Sequence, residues 1–103
     1  SIQIIGVQPE EGAQIPGIRK WPKEYLPSIF EDNNIDSIRL VSQNDAEETA
    51  RILAKKEGIF SGASTGGALY IALDIAKKDP KAVIVSIACD RGDRYLSTGI
   101  FPA

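Results

Sequence analysis

Val83-Ile84-Val85-Ser86-Ile87-Ala88 is a near-continuous apolar run dominated by β-branched residues, and it decides the fold. A strand with one wet face alternates apolar and polar side chains, whereas a run like this one reads as a strand covered on both faces in a parallel sheet. Upstream, Asp79-Pro80 breaks a stretch, Ala68 to Lys78, that is apolar on nearly every side until its last turn and predicts a buried helix. Before it, an earlier helix is punctuated clearly. Asn44 is expected to cap it, with Glu47 at capping-box spacing and Asp45, Glu47 and Glu48 placing negative charge in the first turn. Ala46, Ala50 and Leu53 form its inward stripe, Lys55 and Lys56 complement its C-terminal dipole, and Gly58 provides a left-handed stop. Ser37 to Ser42 alternates as a short half-buried strand, and Ile2 to Val7 reads as another.

Between those two strands, Gln8 to Pro22 carries Pro9, Gly12, Pro16, Gly17 and Pro22, so most of it is loop, docked through Ile15, Ile18 and Trp21. A short helical turn is predicted around Lys23 to Phe30, limited by Pro27, with turn chemistry at Asp32-Asn33-Asn34. Strands alternating with helices in this order predict an α/β layered domain, a mostly parallel sheet flanked by helices, with residues 1–103 forming a single α/β segment.

Composition narrows the function. A chain of 103 residues with 43% hydrophobic and 25% charged side chains is that of an ordinary folded domain. Net charge is −2, with a pI near 5.1, so no overall positive field favours nucleic acid as a partner. One cysteine and zero histidines exclude an internal disulfide and leave no usual transition-metal ligand set. No apolar run approaches the ~18 residues of a membrane span, and the first residues show no basic n-region followed by an apolar h-region; a cytoplasmic setting is expected. The absence of methionine, together with a strand under way at residue two, predicts a piece of a longer polypeptide.

Four segments carry possible chemistry. Gly62-Ala63-Ser64-Thr65-Gly66 fits G-x-S-x-G, the turn that exposes a nucleophilic serine in α/β-hydrolases, yet a serine needs a base and this chain has no histidine to supply one. The same residues also read as a bare helix start whose N–H groups attract a phosphate or carboxylate, with Ser64 and Thr65 adding hydroxyls. More plainly, the glycines let a buried helix pack closely, with Ser64 or Thr65 as its N-cap. Cys89-Asp90-Arg91-Gly92-Asp93-Arg94-Tyr95 follows the most apolar strand directly, where ligands bind in open α/β sheets, although paired charges on a solvated turn would look the same. Cys89 taken alone is a small buried hydrophobe. Arg19, beside the only tryptophan, is able to clamp an oxyanion bidentately or simply to remain solvated.

Read together, Gln8-Pro9-Glu10-Glu11-Gly12, Ile15-Pro16-Gly17-Ile18-Arg19, Gly58 through Gly67, and Cys89 through Gly99 resemble the carboxy-terminal third of the B-type cysteine synthases. These are O-acetylserine sulfhydrylases of the fold-type II family of pyridoxal-phosphate enzymes. The similarity covers essentially the whole chain. The A-type enzymes carry smaller neutral residues where Cys89 and Asp90 stand.

The resemblance implies part of the large, cofactor-binding domain of an enzyme of cysteine biosynthesis. Such an enzyme replaces the acetate of O-acetylserine with a sulfur nucleophile such as sulfide or thiosulfate, using pyridoxal 5'-phosphate. It implies Ser64 and Cys89 as cofactor-binding residues, and Arg19, Cys89 and Asp90 as substrate-pocket residues. It implies no metal and no catalytic residue in this chain, because the family's Schiff-base lysine, its substrate-carboxylate loop and its phosphate-gripping loop all lie upstream of the matching region. The implied partners are the amino-terminal portion of the same enzyme, a second copy in a homodimer, and a small-molecule substrate. Beside this stand a non-catalytic α/β module that binds a phosphate-bearing ligand, and a purely structural assembly through exposed strands.

Overall fold

The computed structural model describes residues 2–25 and 32–101. Its sheet is a parallel pair, β1 (Ile5–Pro9) and β2 (Ser37–Val41), in a register that runs from Ile5 opposite Ser37 to Pro9 opposite Val41. Pro9 has no N–H to give, and the next residue continues the pairing, with Glu10 N–H donating to Val41 O at 2.9 Å. β1 begins later than the run Ile2 to Val7 implied. Parallel neighbours need a long crossover, and here it is the proline-rich segment, pinned by a short bridge between Ile15 and Ile18. Its helical turn is a single 3-10 turn, Lys23–Tyr25; the rest of the expected turn up to Phe30 lies outside the described residues. Asp32–Asn34 forms a second 3-10 turn.

α1 (Gln43–Glu57) starts at Ser42, not at Asn44. Ser42 takes the extended backbone of a cap, and its Oγ accepts the Asp45 N–H at 3.0 Å. Both residues satisfy the local rule for a cap, each with an acid three positions on. Ser42 acts first because β2 has ended at Val41 and its unpaired backbone turns there directly into the helix. The far end is as expected: Gly58 sits at φ 70° and donates to Ala54 O at 3.1 Å.

α2 (Ala63–Lys78) begins five residues before the predicted Ala68 and takes in Gly66 and Gly67. Helix propensity opposes that start, and packing overrides it. A Cβ on Gly66 would lie 2.0 Å from Ala46 O and 2.8 Å from Ala50 N, so the backbones of α1 and α2 touch there. Ala46 and Ala50, both 0% exposed, are the other half of that contact. Around it Ile15, Val41, Ala46, Ala63, Ile71 and Ile100 form the core.

The stretch that decided the fold class is not itself in the sheet. Val83 to Ala88 pairs with neither β1 nor β2, and Val83, Val85 and Ile87 are 94%, 87% and 73% exposed. The expectation of a strand covered on both faces is therefore corrected. A central strand needs ladder partners on its edges and layers on its faces, and the described residues supply neither. The α/β class stands on the parallel pair and its two helices. Among the described residues no helix is long and apolar enough to cross a membrane.

β2 is tied to α2 by an ion pair, Arg39 Nη2 to Asp74 Oδ2 at 2.5 Å, with Lys78 Nζ on the same oxygen at 3.3 Å. Hydrogen bonds from Arg39 and then Lys78 hold the Asp74 carboxyl below its ordinary 3.8. A carboxyl depressed on folding contributes stability above its unfolded value and loses it as pH falls through the folded one. Asp74→Asn should therefore lower the urea midpoint modestly at neutral pH, with a deficit that shrinks in acid below the ordinary carboxylate range. A deficit unchanged throughout that acid range excludes the pair as its source.

Candidate functional site

α2 starts without a side-chain cap. Gly62 occupies the cap position with extended backbone and makes no side-chain bond, so neither Ser64 nor Thr65 is the N-cap. Both lie inside the first turn. In an ordinary capping box the third helical residue reaches back to the N–H of the cap. Here that bond comes from elsewhere: Asp90 Oδ1 accepts the Gly62 N–H at 3.1 Å from 28 residues away. Thr65, the residue that would normally reach back, uses its Oγ1 to accept the Cys89 N–H at 3.3 Å. The box is thus divided between two segments, each side chain serving the other's backbone.

Two further contacts align those segments. Ser61 and Arg91 form an antiparallel bridge, and Gly92 N–H donates to Phe60 O at 2.8 Å. The result sets Cys89 and Asp90 against the first turn of α2. Ser64, only 7% exposed, places its Oγ 3.3 Å from Cys89 Sγ, in a hydrogen bond that either is able to donate. The thiol is also 3.7 Å from Ile87 O, and Cys89 as a whole is exposed. The reading of Cys89 as a buried hydrophobe is corrected accordingly.

Asp90 has its second oxygen engaged as well, accepting from the Tyr95 hydroxyl. That hydrogen bond, and then burial, raise the Tyr95 phenol above its ordinary 10.0, so at neutral pH it is held as a donor. The approach is close: a Cβ on Gly62 would fall 2.4 Å from the Tyr95 ring and 2.6 Å from Asp90 Oδ1. By contrast, Arg91 and Asp93 pair with each other at 2.6 Å on the exposed turn, each stabilising the other's charged form, as the solvated-turn reading anticipates.

The proline-rich loop approaches Ser64 as well. Gly17 sits at φ +91°, and a Cβ there would lie 2.8 Å from Ser64 Cβ. Only glycine combines that backbone with that approach. Two residues on, Arg19 is exposed and its guanidinium stacks over Trp21, 5.6 Å from the ring centre. The ion pairs among the described residues involve Arg39, Lys78 and Arg91, not Arg19.

Of the residues singled out from sequence, Ser64, Cys89 and Asp90 come together, while Arg19 lies two residues beyond Gly17, the loop residue that meets Ser64, and stacks on Trp21. Tyr95 was not foreseen. Its place in the motif gave no sign of a role, because its reach back to Asp90 depends on a kinked 3-10 segment, Gly92–Thr98. The hydrolase reading loses its geometry: among the described residues Ser64 pairs through its hydroxyl with a thiol rather than a base. Among the described residues no acidic or thiol cluster is arranged to hold a metal ion.

No family model matches the chain. Curated relatives do. It is 59% identical over 100 residues to cysteine synthase B of Escherichia coli, covering 97% of this chain and 33% of that protein. It is 50% identical over 101 residues to cysteine synthase B of Pseudomonas aeruginosa, covering 98% of this chain and 34% of the relative. The crystal structure of cysteine synthase from Entamoeba histolytica superposes with a TM-score of 0.86 at 33% identity, over 97% of this chain and 32% of that one. The chain therefore spans about a third of the length of the relatives it matches.

Proposed function

The chain belongs to the cysteine synthase family, and from that premise we propose that it forms the carboxy-terminal part of the cofactor-binding domain of a cytoplasmic enzyme that replaces the acetate of O-acetylserine with sulfide or thiosulfate. The observation that carries the reading is the contact of Ser64 with Cys89 at the start of α2.

The cofactor this family implies is pyridoxal 5'-phosphate, and the donor set suits its ring. A pyridine nitrogen accepts a hydrogen bond, and Ser64 offers a neutral hydroxyl beside a thiol. The nearest carboxylate, Asp90, has both oxygens committed to Gly62 and Tyr95, so it is not free to pair with the ring. When bound, pyridoxal phosphate supplies the electron sink for loss of the leaving group. Ser64 would hold the ring nitrogen, Cys89 would flank it, and the close approach of the Gly17 backbone would restrict the Ser64 side chain. Arg19, a planar cation with no anionic partner among the described ion pairs, would draw an anionic sulfur donor or substrate carboxylate to the pocket.

The chain alone would not complete this chemistry. Lys20, Lys55, Lys56, Lys77, Lys78 and Lys81 are all exposed, and among the described residues the hydrogen bonds of Ser64, Cys89 and Asp90 involve none of them. The covalent anchor for the cofactor would come from the amino-terminal portion, and a homodimer of the joined halves is the expected assembly. Val83 to Ala88 supports that arrangement, as an apolar run with free ladder groups is suited to pairing with strands of the missing portion.

Co-expression tests this. The chain produced together with the rest of the Escherichia coli relative should co-purify with it and form cysteine from O-acetylserine and sulfide. Ser64→Ala should lower kcat/KM about a hundredfold, on the scale of a lost positioning contact. Borohydride reduction of the isolated chain with pyridoxal phosphate should fix no cofactor at a specific lysine. A complex that assembles but stays inactive refutes the proposed reaction, and stoichiometric fixation on one lysine of this chain refutes the division of labour.

A further inference from the structure

Tyr95 stands outside the set of residues that the site implies, yet the geometry gives it a defined task. Its ring packs against the core, while its hydroxyl leaves that packing to donate to Asp90. Its backbone is anchored too: Thr98 Oγ1 donates to Tyr95 O at 2.6 Å, and nearby Ile100 is buried, with its carbonyl held by Arg51 of α1 at 2.9 Å. Asp90 is thus the middle of a chain with a fixed end. One oxygen takes the Tyr95 hydroxyl, and the other takes the N–H of Gly62, the cap of the helix whose first turn carries Ser64. With both oxygens engaged, the carboxylate has one orientation, and the divided capping box keeps one register.

We propose that Tyr95 is a positioning residue, which by orienting Asp90 fixes the start of α2 and so holds the Ser64 hydroxyl and Cys89 thiol in place for the cofactor ring. The inference rests on the functional reading above for the purpose of the positioning, but its mechanical part stands by itself. Phe at position 95 keeps the ring packed against the core and deletes only the hydroxyl, so it isolates the bond from the packing.

The experiment is a double-mutant cycle in the assembled enzyme, using Tyr95→Phe, Asp90→Ala and the pair. Hydrogen exchange at the Gly62 amide is read without cofactor, and kcat/KM for cysteine formation with it. Tyr95→Phe should speed Gly62 exchange about tenfold and lower kcat/KM by a similar factor. In the Asp90→Ala background it should change neither. Wild-type exchange at Gly62 in Tyr95→Phe overturns the proposal, and so does an equal loss in both backgrounds, which would mean that Tyr95 acts by packing alone. Should the wild-type assembly make no cysteine, the reaction assignment fails, while the exchange cycle still shows whether Tyr95 acts through Asp90.

Discussion

Gly66→Ala should cost the protein the contact between its two helices. The added carbon would be placed 2.0 Å from Ala46 O and 2.8 Å from Ala50 N. These are backbone atoms of a helix interior, with no rotamer through which to withdraw. Relief requires α1 and α2 to separate, and both alanines on the facing side are fully buried, so separation opens the packing around them. Overpacking of this kind costs typically about 1–3 kcal/mol, and more where backbone is the obstacle. The gain in helix propensity from glycine to alanine, about 1 kcal/mol, offsets only part of that. A net loss of about 2 kcal/mol lowers the unfolding temperature of the assembled enzyme by roughly 5 °C. Scanning calorimetry of the assembled wild type and variant checks it. A variant as stable as the wild type would show that the helices do not meet at this glycine.

The same contact explains what could be read in the sequence and what could not. The stripe of Ala46 and Ala50, the stop at Gly58 and the strand beginning at Ser37 are local signals, and they sit where periodicity and turn chemistry put them. The start of α2 is not local. Two adjacent glycines argue against a helix until α1 is known to press on them, and only the fold brings Ala46 there. At α1 the opposite problem arises, since Ser42 and Asn44 both satisfy the capping rule and only the end of β2 chooses between them. For Val83 to Ala88 the apolar pattern describes a fully covered strand, but a pattern states what a segment requires of its neighbours and not whether they are in the same chain. Around the start of α2, type and position leave Ser64 and Cys89 open to plain packing roles, and it is the resemblance across Gly58 to Gly67 and Cys89 to Gly99 that marks Ser64, Cys89 and Asp90 as candidates; the fold brings these three together. Tyr95 is not legible, because a hydroxyl five residues from its acceptor is placed by the kink at its own backbone, φ −117° and ψ 15°, which no spacing rule anticipates.

Gly62→Ala separates the site from the fold in the way that Gly66→Ala cannot. A methyl group here would meet side chains: Tyr95 Cε2 at 2.4 Å and the Asp90 oxygens at 2.6 and 2.8 Å. The Asp90 carboxylate is able to swing aside, whereas the Tyr95 ring, packed against the core, yields by a smaller shift, so helix packing survives and stability falls by about 1–2 kcal/mol, less than for Gly66→Ala. Swinging aside nonetheless breaks both bonds of Asp90 and frees the first turn of α2 from Cys89, which displaces Ser64 from the ring it is proposed to hold. A misplacement on the order of 1 Å costs about a hundredfold in rate, so kcat/KM of the assembled enzyme should fall by that factor while its unfolding temperature drops by only a few degrees. Removing the carboxylate removes two of the three clashes, and Gly62→Ala in an Asp90→Ala background should therefore cost much less than in the wild type. If Gly62→Ala retained full activity, or if its loss were as large without Asp90, the divided capping box would not be what positions Ser64.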